Sequence, residues 1–314
     1  MAKFKRIFIA AAAIGLSVLL GICIFESVKF NKSIADTGLK NTVPYGFGEE
    51  ARVIILAGQS NAEGISQAEY LKKNTTPEQY AKYEAGFDNV YINSFSTIQN
   101  EASGFVKCKL GHGVTDAFFG PELGLAEKLN ELYPDETFFI IKYAWGGTDL
   151  CNLWRSPSSG GQVGQLYTGF IQYVKNSIKF LDIKKYDVKI EALCWMQGES
   201  DSVDLSSALE YESNLTNFIS DVRFELGNWG SQDGVAFVDA YISDSEYWTH
   251  YEAVNSAKQA VADLSPMNAV IDTISHGLTF SCEPFGEPDL AHYDALSEIK
   301  LGHLFAEECI RFFD

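Results

Sequence analysis

Two distant segments of this chain carry the residue types of acyl transfer. Arg52-Val-Ile-Ile-Leu-Ala-Gly-Gln-Ser60 is an apolar, β-branched run that stops at a glycine and delivers a serine onto a turn, and Asp289-Leu-Ala-His292 stands directly before an amphipathic C-terminal stretch. A serine hydroxyl is a weak nucleophile until a base takes its proton, and a histidine serves as that base when a third group fixes its tautomer and ring orientation. Asp-x-x-His brings such an acid within one turn of its histidine. Two further segments lie between them. Lys142-Tyr-Ala-Trp-Gly-Gly-Thr-Asp149 contains Gly146 and Gly147, where a backbone N–H can approach a developing oxyanion with no Cβ in the way. Trp195-Met-Gln-Gly-Glu-Ser-Asp201 adds Gln197, whose amide can donate to the same oxyanion.

Blander readings compete with each of these. Ser60-Asn61 is also a good helix cap, and His112, His250, His276 and His303 read as ordinary surface or core residues. His292 differs because nucleophile, orienting acid and oxyanion donors all occur in the same chain. Glu199 and Asp201 resemble the carboxylate pair of a glycosidase, but that chemistry leaves Ser60 and Asp289-x-x-His292 unexplained. Glu199, with Asn61, reads instead as a support for the Ser60 loop. Trp145, Trp154 and Trp248 are candidate sugar platforms, although core packing is the commoner fate of a tryptophan. Arg155 is a candidate for substrate contact, with an ordinary salt bridge as the alternative.

The segments that must position these residues alternate in type. Apolar runs at 53–57, 89–93, 137–144, 190–196 and 235–240 predict strands. Apolar residues recurring at three and four predict helices at 121–133, 166–181, 205–226, 251–264 and 295–313. That alternation predicts a parallel sheet with helices on both faces, and ligands bind such sheets at the carboxyl ends of the strands, where Ser60 falls. Residues 94–119 lack strong periodicity and predict an insertion loop near that face.

With these four blocks in place, the chain resembles the SGNH-hydrolase superfamily, in the branch of carbohydrate acetylesterases that holds acetylxylan esterases of carbohydrate esterase family 6 and sialate O-acetylesterase-like domains. The resemblance runs from Arg52 to the C-terminus and rests on Gly58-Gln-Ser-Asn61, Gly146-Gly-Thr148, Gln197-Gly-Glu199 and Asp289-x-x-His292, with Gly120-Pro-Glu122 opening a helix. It implies a three-layer α/β/α sandwich with a mainly parallel, five-stranded, flavodoxin-like sheet. It further implies Ser60 as nucleophile, His292 as base and Asp289 as its acid, and an oxyanion hole from the Ser60 N–H, the N–H of Gly146 or Gly147, and Gln197. Many relatives carry histidine where this chain has Met196. The α/β-hydrolase pattern fits less well, because Ala62 stands where Gly-x-Ser-x-Gly requires its last glycine.

Composition bounds the context. The formal net charge of −18 disfavours nucleic acid, whose phosphates call for clustered Lys and Arg, and favours a neutral ligand; the resemblance implies that this partner is an acetylated carbohydrate. Lys3, Lys5 and Arg6 precede a 19-residue apolar run, Ile7 to Phe25, which predicts a signal anchor or signal peptide over 1–25, a spacer over 26–47 and an extracytoplasmic esterase domain over 48–314. Any membrane attachment is then through this segment alone. Setting Cys23 aside, five cysteines remain; Cys194 reads as a buried thiol and the other four allow up to two disulfides. No Cys-x-x-Cys and no histidine pair at ligand spacing occurs, so neither metal nor cofactor is expected. The sequence therefore predicts a serine esterase that removes O-acetyl groups from carbohydrate, foremost xylan or xylo-oligosaccharides, through an acetyl-enzyme. A sialate O-acetylesterase and a catalytically silent carbohydrate-binding domain are the alternatives.

Overall fold

A computed structural model describes residues 43–281 and 289–313. The apolar segment 1–25, most of the expected spacer, Cys23 and Cys282 lie outside the described residues. Residues 43–47, read from sequence as the end of the spacer, are docked on the domain. Val43 is buried in the core, and the Gly46 N–H donates to the Lys184 carbonyl at 2.9 Å.

Six parallel strands form the centre: β1 (Glu50–Gly58), β2 (Val90–Ser96), β3 (Phe138–Ala144), β4 (Asp187–Met196), β5 (Ala236–Ala240) and β6 (Asn268–Ile271), in the spatial order β6-β5-β4-β1-β3-β2. The five strands expected from sequence are all present. The sixth, Asn268–Ile271, is four residues long, too short for periodicity to mark it. Relative to the flavodoxin order 2-1-3-4-5, β1 and β3 exchange places, so β1 is flanked by β3 and β4. β1 is buried along its whole length after Glu50, as a strand covered on both faces must be.

Helices α1 (Ser60–Glu63), α2 (Ala68–Asn74), α3 (Pro77–Ala85), α4 (Glu122–Leu132), α5 (Gln165–Ile183), α6 (Leu205–Leu226), α7 (Tyr251–Asp263) and α8 (Ala295–Cys309) complete the described chain. The three-layer arrangement follows from the two-residue period of a strand. On β4, Cys194 points at Cys309 of α8 (Sγ–Sγ 3.4 Å), while its neighbour Trp195 packs on Phe218 of α6 at 4.7 Å between ring centroids. On β3, Lys142 reaches Glu122 of α4, and Tyr143 turns to Phe170 of α5. Consecutive side chains thus enter opposite layers. The short helices α2 and α3 escape the sequence reading because each buries few apolar residues: Leu71 in one, Tyr80 and Tyr83 in the other. A signal for α3 was nevertheless present, since Thr76 caps it by accepting the Gln79 N–H and Pro77 occupies its first turn.

The 94–119 stretch is only partly loop. Glu101–Ala102 and Val106–Lys107 fold back antiparallel onto β2, and Phe118–Phe119 pairs with Ser66–Gln67 just after α1. The cysteine expectation needs correction. Cys108, Cys151, Cys194 and Cys309 are all buried free thiols, so no disulfide forms among the described cysteines. Cys194 and Cys309, packed together between β4 and α8, behave as small hydrophobes, whereas Cys151 sits among the polar groups of Asp149, Asn152 and Ser207.

One buried ion pair ties the sheet to the α4 layer beneath the site. Lys142 Nζ lies 2.6 Å from Glu122 Oε2 and 2.8 Å from the His112 carbonyl, while Glu122 Oε1 accepts the Gly120 N–H at 2.9 Å. Both side chains are almost wholly shielded from water, which accounts for Gly120-Pro-Glu122: its carboxylate satisfies a cation that β3 carries inside. Removing one partner leaves the other charge buried and unpaired. Glu122→Ala is therefore expected to cost about 3–5 kcal/mol of unfolding free energy, measured by urea denaturation; a loss below about 1 kcal/mol would mean that the pair is not balanced as described.

Candidate active site

β1 ends where it closes most tightly on β4. Gly58 has φ +144°, and a Cβ there would lie 1.9 Å from the Met196 carbonyl oxygen, so only glycine fits. The same carbonyl accepts the Gln59 N–H at 2.9 Å. Met196 is fully buried, so its side chain does not reach the cleft. This closure turns the chain abruptly and sets Ser60 at the first position of α1, where its N–H has no intrahelical partner.

Asn61 then joins this turn to the distant histidine. The strand β7 (Asp289–Tyr293) runs past it, and Asn61 Oδ1 accepts the Tyr293 N–H at 3.1 Å while Nδ2 donates to the Ala291 carbonyl at 3.4 Å. The residues on either side of His292 are thus bonded to the residue after Ser60. Ser66 Oγ adds a bond to the Tyr293 carbonyl at 2.8 Å. His292 Nδ1 sits 2.7 Å from Asp289 Oδ2, which leaves Nε2 as the nitrogen available to a serine proton. No hydrogen bond joins Ser60 Oγ to His292 in this structure, and catalytic bonds are often loose before substrate arrives. Burial acts to raise the Asp289 carboxyl, but the His292 hydrogen bond and charge, with the Ala291 N–H, outweigh it and hold the group below the usual aspartate value.

Asn61 Nδ2 also donates to Glu199 Oε1 at 2.8 Å. Glu199 is fully buried, and its Oε2 has no partner. Burial raises its carboxyl above the ordinary value, opposed by its hydrogen bonds and by the charges of Lys258 and His292. Of the Gly-Gly turn, Gly146 lies directly against Ser60: a Cβ there would stand 3.4 Å from the Ser60 Cβ. Its N–H is already spent on Glu63 Oε2 at 2.8 Å, and Glu63 Oε1 accepts from Thr97. Gly147, at φ +69° with open space around its Cα, has no acceptor for its N–H among the described residues.

This constellation meets a family signature across nearly the whole domain: residues 50–311 match the family described as "Carbohydrate esterase, sialic acid-specific acetylesterase". The chain belongs to this family. It is a carbohydrate acetylesterase, a carboxylic ester hydrolase. Solved structures with the same fold include a protein of Arabidopsis thaliana (TM-score 0.61, 18% identity, covering 84% of this chain and 99% of that one). NanS aligns with a TM-score of 0.59 at 15% identity, over 86% of this chain and 99% of its own. A carbohydrate acetylesterase from Xanthomonas citri gives 0.56 at 16% identity, over 83% of this chain and 56% of its own. No curated protein sequence matches the chain significantly.

Two oxyanion donors expected of this acetylesterase from its sequence are turned elsewhere. Gln197 is fully buried, and its Nε2 faces Asp201 Oδ2 at 2.6 Å, the Thr148 carbonyl at 3.0 Å and Gln59 Oε1 at 3.3 Å. An amide has two N–H groups, so none remains for a ligand. The Gly146 N–H is likewise occupied by Glu63. The Ser60 and Gly147 N–H groups are the ones left open. Asp201 is a loop anchor, accepting the Leu150 N–H at 2.9 Å and the Cys151 N–H at 3.1 Å, which brings the Gly-Gly turn onto the end of β4.

The aromatic candidates also separate. Trp154 is buried, donating from Nε1 to Thr148 Oγ1 at 2.9 Å, and Trp248 is packed against the core. Trp145, immediately before Gly146, is 36% exposed and lies 6.4 Å from Phe95 between ring centroids. Arg155 forms no ion pair among the described residues, and its Nε is buried without a partner.

The contrast between the two carboxylates gives a test. Asp289→Asn keeps the shape but removes the charge that stabilises an imidazolium, and is expected to lower kcat by up to about 10⁴, as the equivalent change does in a serine-protease triad. Glu199→Gln retains an acceptor for Asn61 and should lower kcat far less. The check is kcat on one acetyl ester, with circular dichroism verifying that each variant is folded. A near-dead Glu199→Gln beside a near-normal Asp289→Asn would transfer the orienting role to Glu199.

Proposed function

We propose that this acetylesterase is an extracytoplasmic enzyme acting on acetylated xylan or xylo-oligosaccharides, with Ser60, His292 and Asp289 as its triad. The observation that carries the triad is the Asn61 amide, which bonds the backbone on both sides of His292 to the turn that presents Ser60. Ser60 Oγ attacks the acetyl carbonyl carbon as its proton passes to His292 Nε2, and Asp289 steadies the resulting imidazolium. The Ser60 and Gly147 N–H groups receive the oxyanion. Collapse of the tetrahedral intermediate expels the sugar hydroxyl, which takes the proton from His292 and leaves an acetyl-enzyme; water, activated by the same histidine, releases acetate.

The preference for a neutral polymer is supported by the chain's formal charge of −18, which disfavours an anionic substrate, and by Trp145 offering a partly exposed ring beside the nucleophile. The signal-like residues 1–25 support the extracytoplasmic address; among the described residues no helix is long and apolar enough to cross a membrane. A second reading, sialate O-acetylesterase, draws on the family's description and on Arg155, a cation with no carboxylate partner among the described residues.

Turnover of p-nitrophenyl acetate by wild type and its loss in Ser60→Ala, by at least about 10³, tests the nucleophile; Ser60-independent release of nitrophenol would reject the triad and favour a silent binding domain. Acetate release from acetylated xylan and from O-acetyl sialic acid then separates the two substrates. The expected ranking is xylan first, with Arg155→Ala having little effect on it. Faster release from O-acetyl sialic acid that collapses in Arg155→Ala would establish the sialate reading in its place.

A further inference from the structure

Beside the catalytic turn the described chain forms a cleft of about 320 Å³ between the residues that end β2 and the segment 111–116. Neither the triad nor its supports use it. Its position is fixed by two contacts with the catalytic turn. Thr97, between the lining residues Ser96 and Ile98, donates to Glu63 of α1, and Val114 donates its N–H to the Gly64 carbonyl at 2.9 Å. Strand register sets its distance. Ser94 of β2 is level with Lys142 of β3, which is level with Leu56 of β1; the ends of β2 and β1 therefore lie side by side, two strand spacings or about 10 Å apart. Trp145 and Phe95 bridge the interval with apolar rings.

The chemistry of the lining is that of hydroxyl recognition. Ser96, Gln99, Glu101, His112, Thr115 and Asp116 contribute hydroxyl, amide, carboxylate and imidazole groups, and no lysine or arginine lines the cleft. Lys142, the nearest buried cation, is turned to Glu122 and the His112 carbonyl. His112 Nε2 is buried without a partner. Burial first, and the Lys142 charge second, push the His112 imidazole down to about 4 against a backbone hydrogen bond to Lys107, so near neutral pH it is uncharged and offers the open Nε2 as an acceptor. A sugar hydroxyl, which can donate to that nitrogen, satisfies it. A carboxylated sugar would meet the Asp116 carboxylate in a lining that holds no lysine or arginine.

We propose that this cleft is a glycosyl-binding subsite, taking an uncharged, hydroxyl-rich sugar residue that neighbours the one whose acetyl group reaches Ser60. The assignment rests on the acetylesterase reading and adds to it a requirement for more than one sugar ring. Binding energy gained there, remote from the reacting ester, would favour an oligosaccharide over a monosaccharide.

The experiment compares kcat/KM on acetylated xylotriose with that on acetylated xylose, in wild type, His112→Asn and Gln99→Ala. The wild-type ratio is expected to exceed one, and each variant to lower it by roughly tenfold, the loss that follows from one or two hydrogen bonds. Gln99 is exposed on the loop, so Gln99→Ala remains informative if His112→Asn fails to fold. A wild-type ratio near one, or ratios unchanged in the folded variants, overturns the subsite. Ser60-dependent hydrolysis of p-nitrophenyl acetate reports separately on the esterase reading. Titration of Ser60→Ala with unacetylated xylotriose and with free sialic acid, followed by calorimetry, tests the charge argument: the neutral sugar should bind more tightly, and tighter binding of sialic acid would overturn the neutral assignment.

Discussion

The Asn61 side chain is the constraint on which the site depends. Its single amide meets two segments that are far apart in sequence: β7, through the Tyr293 N–H and Ala291 carbonyl, and the turn after β4, through the Glu199 carboxylate. An amide is suited to this because it carries donors and an acceptor at fixed angles in one rigid plane. A carboxylate there would confront Glu199, and an alkyl group would leave buried donors and acceptors unpaired, at about 1–3 kcal/mol each. The backbone around His292 is thus fixed to the turn that carries Ser60, and the His292 ring is left to make its one oriented contact with Asp289.

Around this amide the fold buries several ionisable groups near the carboxyl end of the sheet. Lys142 with Glu122, and Lys258 with Asp239 at 2.6 Å, are close pairs with almost no exposure. Burial outweighs the Lys258 charge and pushes Asp239 up to about 6, a sign that pairing does not fully offset desolvation. Asp201 and Glu63 are instead satisfied mainly by backbone and side-chain donors of the neighbouring turns. These carboxylates shape loops. Their work explains why the Gly-Gly turn presents one free N–H and not two.

The division between visible and hidden features follows the range of the interactions. The five longer strands, the longer helices, the serine at a strand end and the Asp-x-x-His pair were legible because each is a local pattern: an apolar run, a three-and-four period, a glycine at a turn. Short elements such as Asn268–Ile271 and Ala68–Asn74 carry too few apolar residues to form a pattern. The fates of Gln197 and Gly146 were hidden for another reason. Both stand in the right motif, but whether an N–H faces substrate or a neighbouring carboxylate depends on Asp201 and Glu63, which approach from other parts of the chain.

His112 marks the same boundary from the other side. In sequence it is one histidine among five without a motif around it, and only the folding of 94–119 against β2 and the Ser60 turn makes it a neutral ring with an unpartnered Nε2 in a polar cleft. What the sequence by itself determined was the layered α/β class and the identity of the nucleophile, base and acid candidates, because hydrophobic periodicity and residue chemistry act over a few neighbours. Tertiary structure decided the strand order, the choice of open N–H groups at the Ser60 turn and the presence of a second cleft, because each depends on which distant segments pack together and which hydrogen-bond partners they bring.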